Sequence, residues 1–237
     1  MYDMQKQALT GLFSTMLVTI GLLWACGDTK KTDAGEKAPA GQETEQQQIA
    51  PAKKVIVFFG NSLTAGYGVE PEEAFPGLLQ QRIDSLALPY TIINAGLSGE
   101  TTASGRNRVG WVIRRQPVDI FVLELGGNDG LRGIPSTETQ TNLEAIIDTV
   151  KMKHPDARIV LAGLMVPPNM GSTYAKGFRQ VFPAVAQKKQ TMLIPFLLEQ
   201  VGGVDSLNLP DGIHPTPAGH KIVAETVWQT LQPLLKK

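Results

Sequence analysis

The sequence is poor in cysteine and has no excess charge of either sign. It has a single Cys among 237 residues, and its 22 Lys and Arg balance its 22 Asp and Glu. One cysteine excludes an intramolecular disulfide framework and a cysteine-rich zinc site. The balanced charge argues against a nucleic-acid partner, because a protein needs a basic patch to neutralise phosphates. The fold must therefore depend on core packing, for which a hydrophobic fraction of 42% is ample.

The N-terminal residues are typical of a bacterial export signal. Residues 8–24 contain no charged side chain and follow Lys6. The segment is shorter than the roughly 20 apolar residues that span a bilayer. The sequence Leu23-Trp24-Ala25-Cys26 resembles a lipoprotein box, in which a peptidase cuts before the cysteine and lipid is attached to it. We therefore expect residues 1–26 to form a lipoprotein-type signal peptide and Cys26 to be lipidated. A plain signal peptide or an uncleaved anchor, with an incidental cysteine, is the alternative.

Residues 27–53 are predicted to form a disordered tether. They contain almost no large apolar side chain, so they cannot bury enough surface to offset the entropy that ordering costs. The remaining residues, 54–237, have the size of one domain. This organisation predicts an exported bacterial protein that is anchored through lipid to a membrane and faces the periplasm or the cell surface.

Short apolar runs alternate with longer amphipathic segments throughout residues 54–237. The runs are bounded by Gly, Pro or Asn, as buried strands are, and comprise residues 55–59, 90–93, 120–123, 158–161 and 192–194. Helical spacing of apolar residues marks residues 74–87, 104–115, 137–153, 174–188 and 217–234. The alternation predicts an α/β fold with a parallel sheet, helices on both of its faces, and an active site beyond the carboxyl ends of the strands.

A serine follows the first predicted strand directly. The run Gly60-Asn61-Ser62 projects Ser62 from the sheet edge, where a glycine lets the backbone approach a ligand closely, so Ser62 is a candidate nucleophile. Thr64 stands where the nucleophile elbow of the α/β-hydrolases has its second glycine, and no Gly-Lys-Ser/Thr phosphate loop is present. The alternative is that Ser62 only caps the next helix.

Two further loops at the same sheet edge offer hydrogen-bond donors. The third predicted strand leads to Asn128, whose side-chain amide can donate to a developing oxyanion. The second leads to Gly99, which can offer a backbone N–H at the start of a helix, where anions are favoured. For the run Asn128-Asp129-Gly130, ordinary turn chemistry is the alternative.

The segment Asp211-Gly212-Ile213-His214 lies near the C-terminus. An aspartate three residues before a histidine, in a turn rich in Gly and Pro, can fix the imidazole tautomer and stabilise the imidazolium that forms when the ring takes a serine proton. The alternatives are a turn aspartate and a loop histidine without a catalytic role. His154, at a predicted helix end, and His220, inside the last helix, are expected to be structural.

Four sequence blocks together resemble those of the SGNH (GDSL) hydrolases. The blocks are Gly60-Asn61-Ser62-Leu63, the run Ser-Gly-Glu-Thr that contains Gly99, Gly126-Gly127-Asn128-Asp129, and the run from Asp211 to Thr216. Asn61 stands where this family often has aspartate. Residues 123–133, 166–178 and 193–204 are similar, more narrowly, to the bacterial branch of thioesterase I, lysophospholipase and arylesterase. The resemblance extends over residues 55–234, almost the whole domain.

The resemblance implies a three-layer α/β/α sandwich with a five-stranded parallel sheet of flavodoxin-like order. It implies Ser62 as the nucleophile, His214 as general base and then acid, and Asp211 as the group that orients and supports the imidazole. The oxyanion hole would consist of the backbone N–H groups of Ser62 and Gly99 and the side chain of Asn128. Members of the family cleave carboxylic esters or thioesters through an acyl-serine, with neither a metal nor an organic cofactor.

The expected substrates are small-molecule acyl esters. An exported enzyme rarely meets acyl-CoA, so lysophospholipids or other lipid esters are favoured. Residues 164–177 follow the fourth strand and are expected to face the substrate, with Met165, Val166 and Met170 suited to an acyl chain; an ordinary strand-to-helix connection is the alternative. Two other functions stay open, an SGNH deacetylase that acts on polysaccharide acetyl esters and a non-catalytic surface lipoprotein of the same fold. No protein partner is predicted.

Overall fold

The computed structural model describes residues 52–236. A five-stranded parallel sheet lies at the centre of this part of the chain. Its order is β2-β1-β3-β4-β5. The strands are β1 (Lys54–Gly60), β2 (Tyr90–Gly96), β3 (Ile120–Glu124), β4 (Arg158–Ala162) and β5 (Met192–Ile194). The predicted α/β sheet of flavodoxin-like order is confirmed. The predicted signal peptide, Cys26 and the tether up to residue 51 lie outside the described residues.

Two layers of helices cover the sheet, as predicted. The helices are α1 (Ser62–Ala65), α2 (Phe75–Ser85), α3 (Thr102–Ile113), α4 (Gly127–Leu131), α5 (Ser136–Lys153), α6 (Ser172–Lys189) and α7 (Pro217–Leu231). Helix α5 packs against both α3 and α6, whereas α2 packs against α7. Three short 3-10 helices, Pro168–Met170, Asp205–Leu207 and Gln232–Leu234, complete the connections.

The central strands are apolar along their whole length because both of their faces are covered. Ile56, Val57 and Phe58 are fully buried in β1, and every residue of β3 is buried. A strand buried on both faces shows a continuous apolar run instead of an alternating pattern. Phe59 and Phe121 stack between these two strands with their ring centroids 5.6 Å apart. The first and third apolar runs of the sequence therefore identify the centre of the fold.

The parallel register brings the carboxyl ends of three strands to one edge of the sheet. Gly60 at the end of β1 pairs with Gly96 of β2 on one side and with Glu124 of β3 on the other. The strand order reverses between β1 and β3, and in open α/β sheets a crevice opens at this point. The loops that follow β1 and β3 border that crevice.

Helices α1 and α4 were not predicted from the sequence. They have 4 and 5 residues, too few for an apolar periodicity to show. The last predicted helix, residues 217–234, ends as an α-helix at Leu231 and continues as a 3-10 turn, where Pro233 lacks an N–H. Over residues 52–236, no helix has both the length and the hydropathy to cross a membrane.

Candidate active site

The turn after β1 presents Ser62 at the carboxyl edge of the sheet. Asn61 is the N-cap of α1, because its Oδ1 accepts a hydrogen bond of 2.9 Å from the Leu63 N–H. Ser62 is the first residue of the helix, and its hydroxyl is not used as a cap. The alternative in which Ser62 caps the helix is therefore wrong.

Gly60 allows this turn to close tightly. A Cβ atom on Gly60 would lie 2.1 Å from Thr64 Oγ1 and 2.6 Å from Glu124 Oε2, so any side chain there would displace both. The glycine thus lets α1 fold back over the end of β3. The position of Ser62 follows from that close approach.

Ser62, His214 and Asp211 form a continuous chain of hydrogen bonds. The Oγ of Ser62 lies 2.8 Å from His214 Nε2, and His214 Nδ1 lies 2.6 Å from Asp211 Oδ2. The other oxygen of Asp211 accepts hydrogen bonds from the main-chain N–H groups of Ile213, at 2.9 Å, and of His214, at 3.0 Å. When His214 Nδ1 donates to the carboxylate, Nε2 is left as the acceptor that faces the serine hydroxyl.

Main-chain hydrogen bonds close the loop that holds Asp211 and His214. The Leu209 N–H donates to the His214 carbonyl at 2.7 Å, and the Gly212 N–H donates to the Leu209 carbonyl at 2.8 Å. Gly212 has a φ of +67°, a left-handed conformation that glycine adopts without steric cost. This turn brings the carboxylate beside a ring that lies three residues further along the chain.

The electrostatic environment keeps the Asp211 carboxylate ionised. Partial burial raises its pKa, but the hydrogen bonds from the His214 ring and from the main-chain N–H groups of His214 and Ile213 outweigh this effect. The resulting pKa is lowered to about 2. A negative charge therefore lies beside the imidazole, where it can stabilise the imidazolium that forms when the ring takes a proton from the serine.

Gly99 and Asn128 line the same cleft as Ser62, with a volume of about 250 Å³. Asn128 lies in α4, where its Nδ2 donates to the Glu100 carbonyl at 3.0 Å and retains a second N–H. Gly99 lies in the turn between β2 and α3 with a φ of +80°. The expectation that Gly99 starts a helix is wrong, because α3 begins only at Thr102.

Buried carboxylates hold the loops around the cleft, and the sequence analysis did not identify them. Asp129 accepts a hydrogen bond of 2.9 Å from the Thr102 N–H and contacts the Thr102 hydroxyl. Glu100 forms hydrogen bonds of 2.6 and 2.5 Å with the Arg108 guanidinium. Glu124 lies below the turn after β1. The only signal of the first two in the sequence was their position directly beside the candidate donors.

The apolar lining of the cleft comes from loops near the catalytic candidates. Its large members are Leu63, Tyr67, Leu131 and Ile213. Residues 164–177, which were predicted to face the substrate, are not among the residues that line this cleft. Val166 instead packs behind α4, where a Cβ on Gly130 would lie 2.4 Å from Val166 Cγ1. Met165 borders a separate depression beside Phe196.

The two remaining histidines have structural contacts, as predicted. His154 is the C-cap of α5, and its Nε2 lies 2.9 Å from the Ile113 carbonyl oxygen. His220 is buried in α7 and accepts a hydrogen bond of 3.2 Å from the Phe75 N–H. Burial and the nearby His214 lower the pKa of His220 to about 4. Within the described part of the chain, no group of three His, Cys, Asp or Glu side chains is placed to hold a metal ion.

The sequence and the fold are similar to those of known proteins. Residues 58–222 match the model of the GDSL-like Lipase/Acylhydrolase family. The chain belongs to this family. It is similar to "Esterase TesA" of Pseudomonas aeruginosa, with 38% identity over 184 residues that cover 78% of this chain and 90% of that protein. The GDSL family member described here is thus a hydrolase that acts on ester bonds.

Two further GDSL relatives support the same placement. The "Thioesterase 1/protease 1/lysophospholipase L1" of Escherichia coli K12 is 32% identical, with 78% of this chain and 87% of that protein covered. The crystal structure of the psychrotrophic esterase EstA from a Pseudoalteromonas species, inhibited by monoethylphosphonate, matches with a TM-score of 0.72 and 29% identity. That match covers 76% of this chain and 98% of the EstA chain.

Proposed function

We propose that the protein is a serine acyl hydrolase that cleaves carboxylic esters or thioesters through a covalent acyl-serine. The observation that carries this proposal is the unbroken contact from the Ser62 hydroxyl through the His214 ring to the Asp211 carboxylate. A serine hydroxyl is a weak nucleophile, so it needs a base within hydrogen-bond reach. His214 Nε2, 2.8 Å away, is that base.

Acylation begins when Ser62 Oγ attacks the acyl carbonyl carbon while its proton moves to His214 Nε2. The tetrahedral intermediate then collapses, the bond from carbon to the leaving oxygen or sulfur breaks, and the imidazolium returns the proton to the leaving group. In deacylation, water attacks the acyl-serine with His214 again as the base, which releases the acid and restores the serine. Asp211 stays ionised and stabilises the imidazolium in both steps.

The oxyanion in each tetrahedral intermediate needs fixed donors. We assign this role to the main-chain N–H groups of Ser62 and Gly99 and to the side-chain amide of Asn128, because all three residues line one cleft. The hydrogen bond from Asn128 Nδ2 to the Glu100 carbonyl fixes the amide before substrate arrives. Donors that are already oriented stabilise the developing charge without a reorganisation cost.

Lipid-type acyl esters fit the lining of the cleft best. Tyr67, Leu131 and Ile213 all line it and all leave large apolar surfaces exposed to solvent. A long acyl chain would cover these side chains and gain hydrophobic free energy in proportion to the area buried, whereas an acetyl group would cover little of it. We therefore favour lysophospholipids or other lipid esters over acetylated polysaccharides. The E. coli relative named as a lysophospholipase supports this choice.

Chain-length preference tests the substrate class. The full-length protein, purified in a mild detergent, is assayed on p-nitrophenyl esters from acetate to palmitate and on lysophosphatidylcholine, with Ser62→Ala as the control. We expect kcat/KM to be higher for medium or long chains than for acetate, together with release of fatty acid from the lysophospholipid. Activity confined to acetate would favour the deacetylase, and equal inactivity of wild type and control would favour a non-catalytic lipoprotein.

We further propose that the enzyme is exported and anchored to a bacterial membrane. The lipoprotein-type signal peptide at residues 1–26, the lipidation site at Cys26 and the tether at residues 27–53 would then precede the hydrolase domain at residues 54–237. Incorporation of labelled palmitate into the wild-type protein, with no incorporation into a Cys26→Ser variant, is the expected result. Equal labelling of both proteins would contradict lipidation at Cys26.

A further inference from the structure

A buried carboxylate lies directly below the turn that presents Ser62. Glu124 is the last residue of β3, and only 1% of its surface is exposed. Its Oε1 accepts a hydrogen bond of 2.9 Å from Asn61 Nδ2. Its Oε2 accepts hydrogen bonds from the Asn61 N–H at 3.1 Å and from the Thr64 hydroxyl at 2.8 Å. Glu124 therefore contacts the residue before Ser62 and the residue two positions after it.

The groups around Glu124 match an ionised carboxylate. The two Asn61 groups that face Glu124, the side-chain NH₂ and the main-chain N–H, can only donate, and the Thr64 hydroxyl donates to the same carboxylate. The described residues place no charged side chain in hydrogen-bond contact with Glu124. Burial raises the pKa of this carboxyl to about 7, and the hydrogen bonds from Thr64 and Asn61 oppose that rise. A group that is costly to ionise inside the protein is thus placed where three donors fix it.

The Asn61 side chain connects Glu124 to the serine. Its Nδ2 donates to Glu124, and its Oδ1 accepts from the Leu63 N–H at 2.9 Å and lies 3.4 Å from Ser62 Oγ. The Asn61 amide can donate to Glu124 and accept from the Leu63 N–H in only one orientation, because its NH₂ group and its oxygen face opposite sides. Glu124 and the Leu63 N–H together fix that orientation.

We propose that Glu124 is a positioning residue for catalysis: its carboxylate, acting through Asn61 and Thr64, fixes the turn that directs the Ser62 hydroxyl to His214 and the Ser62 N–H to the cleft. This inference rests on the role proposed for Ser62. Glu124 itself does not line the cleft and has no contact with the reacting atoms.

The hydrogen-bond pattern gives a sharp prediction for two substitutions at Glu124 and Asn61. In Glu124→Gln, the new side-chain NH₂ must face either Asn61 Nδ2 or the Asn61 main-chain N–H, so two donors oppose each other in both orientations. In Asn61→Asp, two carboxyl groups face each other across the 2.9 Å contact and repel each other at a pH at which both are ionised, so the variants are assayed above neutral pH. In the double variant, the Gln NH₂ donates to the new aspartate, while the Gln oxygen accepts from the Asn61→Asp main-chain N–H and from Thr64. Every polar atom in the double variant again has a partner.

The test compares kcat and KM of wild type, Glu124→Gln, Asn61→Asp and the double variant on one p-nitrophenyl ester. We expect each single variant to lose about 10²-fold in kcat with little change in KM, because a misplaced nucleophile slows the chemical step without removing binding contacts. We expect the double variant to recover, with a kcat roughly tenfold or more above either single variant, since the effects of contacting residues do not add. Glu138→Gln, an exposed glutamate of α5, is the matched control and keeps the wild-type kcat.

Thermal unfolding midpoints separate positioning from loss of the fold. If the single variants do not fold, the double variant and Thr64→Val test the role of Glu124. Thr64→Val removes one hydrogen-bond donor to Glu124, so we expect it to lower kcat at unchanged KM. A folded Glu124→Gln protein with wild-type kcat, or a folded double variant without recovery, would overturn the inference. Ser62→Ala distinguishes the two failures: activity that survives Ser62→Ala refutes the proposed function, whereas its loss beside an unaffected Glu124→Gln refutes only the role of Glu124.

Discussion

Replacing Ser62 with alanine is expected to lower kcat by up to about 10⁶, because the variant can no longer form an acyl-serine. KM and the thermal midpoint should change little. Among the described residues, the Ser62 hydroxyl forms hydrogen bonds with His214 Nε2 at 2.8 Å and, weakly, with Asn61 Oδ1 at 3.4 Å, so we expect its removal to leave the turn and the cleft intact. The rate is measured on a p-nitrophenyl ester at saturating substrate.

A residual rate above the uncatalysed reaction is also expected for Ser62→Ala, since Gly99 and Asn128 still border the cleft and bound substrate is still oriented. Ser85→Ala is the matched control, because Ser85 is an exposed serine at the end of α2 and does not line the cleft. A Ser62→Ala protein that retains wild-type kcat would show that the hydrolysis takes place without this serine.

Replacing Asp211 with asparagine is expected to lower kcat by about 10⁴, the typical cost of this change in a Ser-His-Asp triad. The reason is that the two oxygens of the Asp211 carboxylate have different hydrogen-bond partners. Its Oδ1 accepts from the main-chain N–H groups of Ile213 and His214, and an asparagine oxygen would be retained there. The new NH₂ would then face His214 Nδ1, which forces the proton onto Nε2 and removes the acceptor for Ser62.

The low pKa of Asp211 means that a change of pH within the working range does not remove the charge of this carboxylate. Because the carboxyl has a pKa of about 2, it is ionised at any pH at which the enzyme is assayed. Protonation of Asp211 in the wild-type enzyme should therefore not reproduce the low kcat of Asp211→Asn within that pH range. The nearby exposed Asp205→Asn is the matched control and should retain full activity. An Asp211→Asn protein within a fewfold of the wild-type kcat would exclude an orienting role for this carboxylate.

The sequence was sufficient to predict the sheet and the residues at its edge. Residues 55–59 and 120–123 are continuous apolar runs because β1 and β3 are buried on both faces, and a strand of that kind can be recognised without its neighbours. Ser62, Asn128 and His214 follow strands or lie in a turn rich in Gly and Pro. A parallel sheet brings such positions to one edge, so their approach in space could be expected from the alternation of strands and helices.

Features that depend on tertiary contact could not be predicted. Glu124 looks like the last residue of a strand, and its role is visible only once β1 and β3 pair and place it below Asn61. Nor could the sequence show that Val166, in the segment predicted to face the substrate, packs against Gly130 of α4 and does not line the cleft beside Ser62.

Covalent trapping of the nucleophile tests the central claim most directly. The wild-type protein is incubated with a fluorophosphonate, which phosphonylates an activated serine, and the modified peptide is identified by mass spectrometry. The account predicts one added phosphonyl group per chain, located on Ser62, with loss of esterase activity in proportion to labelling and no labelling of Ser62→Ala. Full inactivation with the label on another residue, or esterase activity that persists after Ser62 is fully modified, would contradict it.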